Sequence, residues 1–310
     1  MKTPLISVII PNYNHAPFLK QRIESVINQT YSNIEVIILD DCSSDNSRSI
    51  INTYRTNPKI AHVIFNEVNS GSTFIQWNKG FELSKGEYIW IAESDDYCDY
   101  NFLETLVSLV IKNDFPVIVF TSSHLVDAEN RYLKKICSKG IKVYNGVDFI
   151  KKKMTQGNAI LNASSAIFSK NALTQIKNDY TTFKAGGDRL FWIYLAEKGK
   201  VVYCKYAMNY FRQHTLKVTP NAVKTGIAFF ESARIYDYLK SHNYINGFRE
   251  YLIHGYYMWL ISHVKGYKNI DVKNKVYNLW KAKSTHPYIN KILFLMYYAL
   301  KKVGTKIHIA

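Results

Sequence analysis

The chain predicts an α/β fold with a mixed, mostly parallel sheet flanked by helices, and three observations carry that expectation. From Leu5 to about Val119, short β-branched runs alternate with longer amphipathic stretches. The runs are bounded by turn residues, as buried strands are. After Pro220 the texture changes, with aromatics such as Phe229, Phe230, Tyr236, Trp259, Trp280 and Tyr297 recurring among lysines at helix-like spacing, which adds a C-terminal helical lobe.

The strands are expected at Leu5 to Pro11, Ile34 to Leu39, Ala61 to Phe65, Tyr88 to Ala92 and Val117 to Thr121. The segments between them read as helices. Phe18, Ile23, Val26 and Ile27 share a helical face before Gln29-Thr30; Asp45-Asn46-Ser47 opens the next helix with capping residue types; Phe102, Leu103, Leu106, Val107 and Val110 mark another. From Arg131 to about Asn178 the pattern is mixed, with short strands and connections expected around Lys151-Lys152-Lys153 and an Asn162-Ala163-Ser164-Ser165 loop. Asp188 to Lys198 is again helical, and Val201 to Tyr203 and Met208 to Phe211 read as two strands. The expected division is 1–218, split near 125 into two halves, followed by 219–310.

The 310 residues carry 40 Lys+Arg against 24 Asp+Glu, a net +16 that favours an anionic partner. Most of this charge is local: between Thr215 and Ala310 fifteen basic residues face four acidic ones, +11 of the total. Cys42, Cys98, Cys137 and Cys204 are widely separated and lack metal-ligand spacing, so they read as reduced thiols of a cytosolic chain, without zinc. Leu5 to Ile10 is too short for a signal-peptide core, and no stretch approaches the roughly 20 apolar residues that cross a bilayer. A cytoplasmic chain is expected, with the basic lobe either resting on an anionic membrane surface or simply solvated.

Chemistry concentrates where strands end. The first strand runs into Pro11-Asn12-Tyr13-Asn14 with no G-x-G-x-x-G, which disfavours a dinucleotide cofactor. Tyr13 can stack on a base and Asn14 can cap the next helix; the alternative is a plain turn with a surface tyrosine. The second strand ends in Asp40-Asp41-Cys42-Ser43-Ser44-Asp45, where one carboxylate can accept the N3 proton of uracil while another caps a helix. The fourth ends in Glu93-Ser94-Asp95-Asp96. Three carboxylates in four residues repel one another, and a Mg²⁺ or Mn²⁺ ion shared with a diphosphate is the simplest reason to tolerate them, against an exposed acidic turn.

Taken together, Val8 to Asn14, Gln29-Thr30-Tyr31, Asn33-Ile34-Glu35-Val36, Asp40 to Asp45, Gly86-Glu87-Tyr88-Ile89 and Glu93-Ser94-Asp95-Asp96 resemble family-2 glycosyltransferases in order and spacing. The resemblance covers about the first third of the chain. It implies a GT-A fold and inverting transfer of a sugar from a nucleotide-diphosphate donor, a UDP-sugar above all, to a glycan or lipid-linked glycan acceptor in surface polysaccharide assembly. It further implies that Pro11, Tyr13 and Asp41 hold the nucleobase, with Asn14, Asn69, Gly71, Asn78, Glu93, Ser94 and Arg212 around the donor. Asp95 would contact the ribose or donor sugar, and Asp96, Asp95 and His214 would hold the metal. In Tyr210-Phe211-Arg212-Gln213-His214 the family's aromatic-Arg-x-His segment finds a match.

Two departures stand out. Glu93 occupies the first position of the family's D-x-D motif, and Gln76-Trp77-Asn78 stands where many relatives have Ala-Arg-Asn. The expectation is that Glu93 keeps metal use with a longer reach. The catalytic base is expected at Asp188 in Gly186-Gly187-Asp188-Arg189, against the alternative of a helix-capping aspartate. The absence of a Gln-x-x-Arg-Trp segment argues for single sugar addition. A sugar nucleotidyltransferase would need a glycine-rich basic loop that Pro11 to Asn14 lacks. A nucleic-acid binder is disfavoured because Glu93 to Asp99 is acidic and the basic lobe lies apart from it. A degenerate sugar-binding module is the remaining alternative.

Overall fold

The computed structural model describes residues 3–214 and 218–302. The first strands and helices follow the expected alternation: β1 (Ile6–Asn12), α1 (Ala16–Ile27), β2 (Ile34–Asp40), α2 (Ser47–Tyr54), β3 (Ile60–Phe65), α3 (Thr73–Leu83) and β4 (Tyr88–Ile91). Every side chain of β1, β2 and β4 is buried. This explains their unbroken apolar runs, since strands covered on both faces lose the in–out alternation.

β1 pairs in parallel with β2 and β4, and β2 with β3, so the carboxyl ends of all four strands lie at one rim. Past them come β5 (Tyr97–Cys98), α4 (Phe102–Lys112), β6 (Ile118–Val126), β7 (Tyr132–Lys134), β8 (Ile141–Asn145), α5 (Gly146–Phe149), β9 (Ala166–Ser169), α6 (Lys170–Leu173), α7 (Gly187–Ala196) and β10 (Lys200–Arg212). The ten-stranded sheet has the order β3-β2-β1-β4-β9-β6-β10-β5, with β7 on β6 and β8 on β10. β9 lies antiparallel between β4 and β6, which makes this half of the sheet mixed.

β10 is one strand where the pattern suggested two. Its register shifts between Cys204 and Ala207 and again between Ala207 and Asn209. Each irregularity breaks the side-chain alternation, which is why the middle of the strand reads as a connection. The expected Asn162 to Ser165 loop is a 3₁₀ turn over Ala163–Ser165, with Asn162, Ser164 and Ser165 buried.

By contacts the chain divides into two units. The first comprises Met1–Phe149, Ile160–Thr181 and Phe191–Thr215; the second comprises Ile150–Ala159, Thr182–Leu190 and Leu216–Ala310. Two earlier segments, 150–159 and 182–190, group with the helical unit, and the division falls inside α7.

The second unit holds α8 (Val218–Lys224), α9 (Ile227–Ser241), α10 (Gly247–His263), α11 (Ile270–Lys281) and α12 (Pro287–Lys302). Its core stacks Trp280 on Tyr257 with ring centroids 4.1 Å apart, and the Trp280 indole N–H bonds to Phe229 O at 3.1 Å. α12 buries Asn290 and Phe294, while Tyr288, Ile289, Ile292, Leu295 and Met296 are exposed on one arc of the helix. Among the described residues no helix is long and apolar enough to cross a membrane.

Gly86 marks a close approach at the start of β4: a Cβ there would lie 2.6 Å from both Leu5 O and Ser7 N. Those are main-chain atoms and cannot swing aside. Gly86→Ala is expected to destabilise the chain by about 1–3 kcal/mol in denaturant melts; an unchanged midpoint would contradict this packing.

Candidate active site

Tyr13, Asp41 and the Glu93 to Asp96 loop follow the carboxyl ends of β1, β2 and β4 at one rim. Tyr13 is 48% exposed just beyond β1, so its ring is open to a planar ligand. Pro11 is buried inside the strand, opposite Leu39. Asn14, at φ +55°, does not cap α1 as expected. Its Oδ1 accepts from the Ser44 N–H at 2.8 Å and so ties the first loop to the second. Asp45 serves both helix starts, accepting from Ala16 N–H at 2.8 Å and Ser47 N–H at 2.9 Å.

Asp40 and Asp41 divide as a pair of adjacent strand-end residues must. Asp40 turns inward to Asn12 Nδ2 and the Ser43 N–H, at 2.8 and 3.1 Å. Asp41 gathers the opposite loop: its Oδ1 accepts from Asn66 Nδ2, Ser70 N–H and Gln76 Nε2 at 2.7 to 2.9 Å, and its Oδ2 accepts from Ser70 Oγ at 2.7 Å. Asn69 donates to Asp41 O at 2.9 Å and accepts from the Gly71 N–H at 2.8 Å, with Gly71 at φ +71°. Asn78 accepts the Tyr180 hydroxyl proton at 2.6 Å.

The two departures from the family pattern meet. Trp77, 2% exposed, donates its indole N–H to Glu93 Oε1 at 3.0 Å. Burial, with Asp95 and Asp96 adding repulsion, pushes the Glu93 carboxyl up to about 8, so near neutrality it is largely uncharged. Glu93 therefore faces Trp77, and among the described residues the group with the spacing to hold an ion does not include it.

That group is His15, Asp95 and His214, whose ligand atoms all lie within 4.8 Å of one another. His214 Nε2 lies 2.8 Å from Asp95 Oδ2, and the two histidine rings meet edge to face at 5.4 Å. Ser94, 1% exposed, places its Oγ 2.8 Å from His15 Nδ1 and so orients that ring. Asp96 sits beneath, 1% exposed, its two oxygens accepting from Asn162 Nδ2 at 2.5 Å and the Arg212 N–H at 3.0 Å. Burial raises its pKa, and neighbouring Asp95 raises it further. His15 was missed because a lone histidine before a helix carries no ligand spacing.

Arg212 is turned inward. Expected at the donor, it is 1% exposed and its side chain runs into the protein, bonding Asp95 O at 2.7 Å, Gln21 Oε1 at 2.7 Å and Asn130 Oδ1 at 2.8 Å. A fully buried Arg22 bonds Glu93 O at 2.9 Å from the other side. Two interior guanidiniums thus hold the acid loop by its backbone while their charges offset its carboxylates.

Asp188 belongs to the second unit. α7 begins at Gly187, so Asp188 lies within the first turn rather than at the cap. Its Oδ2 accepts from Asn158 Nδ2 at 2.8 Å. Burial pushes its carboxyl up to about 6, a shift that the adjacent backbone N–H and Asn158 reduce without cancelling. Next to it, Arg189 is anchored to Met154 O, Thr155 O and Tyr257 Oη at 2.7 to 3.0 Å.

The sequence profile described as "Glycosyl transferase family 2" matches residues 7–176, more than half of the chain, and the protein belongs to this family. It is 39% identical to glycosyltransferase GlyG of Streptococcus pneumoniae serotype 4 over 37% of this chain and 38% of that one. It is 28% identical to an uncharacterized glycosyltransferase of Haemophilus influenzae over 74% of this chain and 88% of that one. Staphylococcus aureus TarS, residues 1–349, crystallised in complex with UDP-GlcNAc, shares the fold at a TM-score of 0.58 and 17% identity, over 88% of this chain and 70% of that one. The GT-A architecture implied by the resemblance is thus the one found. The chain spans well under half of GlyG and of the longer crystallised TarS chain, 38% and 43%.

The cluster yields a direct test. Removing His15 or His214 should weaken Mn²⁺ binding by more than the roughly 10–100-fold that outer-shell partners contribute to metal sites. Mn²⁺ titration followed by electron paramagnetic resonance, with His62→Ala as control, measures it; equal affinity in His15→Ala and the parent chain would remove His15 from the site.

Proposed function

We propose that the protein is an inverting glycosyltransferase that moves a sugar from a UDP-sugar to an acceptor hydroxyl, one residue at a time, in cell-surface glycan assembly. The observation that carries this reading is the convergence of Tyr13, Asp41 and the Glu93 to Asp96 loop at one rim of the sheet, with His214 brought to Asp95. TarS, with its UDP-GlcNAc complex, and the putative teichuronic acid biosynthesis glycosyltransferase TuaG of Bacillus subtilis support the donor and the pathway class.

Tyr13 stacks on the uracil, and Asp41, fixed by Ser70 and Gln76, faces its N3 proton. Pro11, Asn14, Asn69, Gly71 and Asn78 shape the loops around the donor, and Asp95 meets the ribose or the sugar. Two imidazoles and a carboxylate form a mixed nitrogen–oxygen set that suits Mn²⁺ better than Mg²⁺, which prefers oxygen alone. Bound there by His15, Asp95 and His214, the cation would supply charge neutralisation for the departing diphosphate. Asp188 takes the acceptor hydroxyl proton as that oxygen bonds to the anomeric carbon; the bond from that carbon to the diphosphate oxygen breaks, and UDP leaves with its electron pair.

A general base must be ionised, so a pKa raised to about 6 makes turnover fall as pH drops through 6, the opposite of an acid-catalysed step. Asp188→Asn preserves size but removes basicity, and it should cut UDP release from a panel of UDP-sugars with Mn²⁺ by about 10²–10⁴-fold. UDP binding, read as a thermal shift, should remain. Near-parental turnover in Asp188→Asn would reject the base assignment.

The lobe's partner in this reading is the anionic, cytoplasmic face of a membrane bearing a lipid-linked acceptor. Beyond Asp271 the chain has eight lysines and no acidic residue, and α12 exposes its apolar arc among them. The full chain should co-sediment with phosphatidylglycerol vesicles and not with phosphatidylcholine vesicles, and Ile292→Glu/Met296→Glu should abolish this. Equal partitioning of parent and variant would exclude α12 as the contact.

A further inference from the structure

A buried carboxylate outside the donor site has an unusual set of partners. Glu231, on α9, is 6% exposed. Its two oxygens accept three consecutive main-chain N–H groups, from Lys184 at 2.5 Å, Ala185 at 3.0 Å and Gly186 at 2.8 Å. Hydrogen bonds from main-chain amides to a charged acceptor are among the stronger ones in proteins, and three converging on one carboxylate fix a segment that has no regular structure of its own.

One turn further along α9, Arg234 donates to Thr182 Oγ1 at 3.0 Å and lays its guanidinium 4.0 Å from the Phe183 ring centroid. The same face of α9 therefore grips residues 182–186 continuously. The grip ends one residue before α7 begins and two before Asp188. From the other side, Asn158 holds the Asp188 carboxylate and Arg189 is anchored to Met154 and Thr155, all within the same unit.

From this geometry we infer that Glu231 is a positioning residue for Asp188: α9 of the C-terminal unit sets the main chain that presents the catalytic base. The inference rests on the reading of Asp188 as base. Both residues lie beyond the part of the chain that the family profile matches, 7–176. The helical unit is therefore part of the transfer machinery. A misplacement of about 1 Å is enough to cost a reaction on the order of 10²-fold, so a loosened loop shows in turnover before it shows in folding.

Glu231→Gln keeps the volume but turns an N–H₂ group toward the N–H groups of 184–186. UDP release by the full chain should fall about 10–100-fold in kcat. KM for the UDP-sugar and the affinity for UDP with Mn²⁺ should be unchanged, because Pro11, Tyr13, Asp41 and Asp95 belong to the other unit. Placed on Asp188→Asn, the same substitution should cause no further loss, because a residue that acts only through Asp188 has nothing left to position.

Glu231→Asp retains the charge and, with a shorter reach, should give an intermediate kcat; it serves where the glutamine variant does not fold. Parental kcat in a folded Glu231 variant, or a full multiplicative loss on the Asp188→Asn background, overturns the inference while leaving Asp188 as base. Parental kcat in Asp188→Asn alone overturns both.

Discussion

The rim of this sheet is governed by three carboxylates in four residues, Asp96 buried and Glu93 and Asp95 partly so. Glu93, Asp95 and Asp96 cannot all carry charge there unaided, and each is relieved differently. Glu93 is driven toward its neutral form and bonds to the Trp77 indole. Asp96 receives a side-chain amide and a main-chain N–H. Asp95 is left to face two histidines. Arg22 and Arg212 flank the loop, each guanidinium bonding its backbone rather than its carboxylates, so positive charge is nearby without occupying the place a cation would take.

This arrangement explains how the two departures from the family pattern coexist. A glutamate in place of the first aspartate carries one more methylene into a buried space, and a tryptophan in place of an arginine supplies a neutral donor at its end. Glu93 and Trp77 form a pair that near neutrality carries little charge, which limits its desolvation cost. The candidate metal group among the described residues is instead Asp95 with His15 and His214.

In the proposed reading the donor residues and the base belong to different units: the donor residues follow parallel strands buried on both faces, and Asp188 follows a loop held by Asn158, Glu231 and the anchors of Arg189. The aromatic core of the helical unit, with Trp280 against Tyr257, also bonds α9 through the Trp280 indole N–H to Phe229 O.

Much of this was legible from the residues alone, because buried parallel strands leave unbroken β-branched runs and their ends are marked by Asp40-Asp41 and Glu93 to Asp96. Those signals are local in the chain. The partners of Arg212, Glu93 and Asn14, and the placement of His15 and Glu231, were not legible in the sequence, for a common reason: each is set by a partner 16 to 199 residues away. The bulged β10 reads as two strands because register shifts hide its period. The sequence by itself determined the fold class, the rim and the acidic loop, since hydrophobic period and strand-end residues are short-range properties. Only the tertiary structure decided which carboxylate meets the histidines, which is neutralised and which holds a loop, because charge burial depends on what the chain brings back from far along its length.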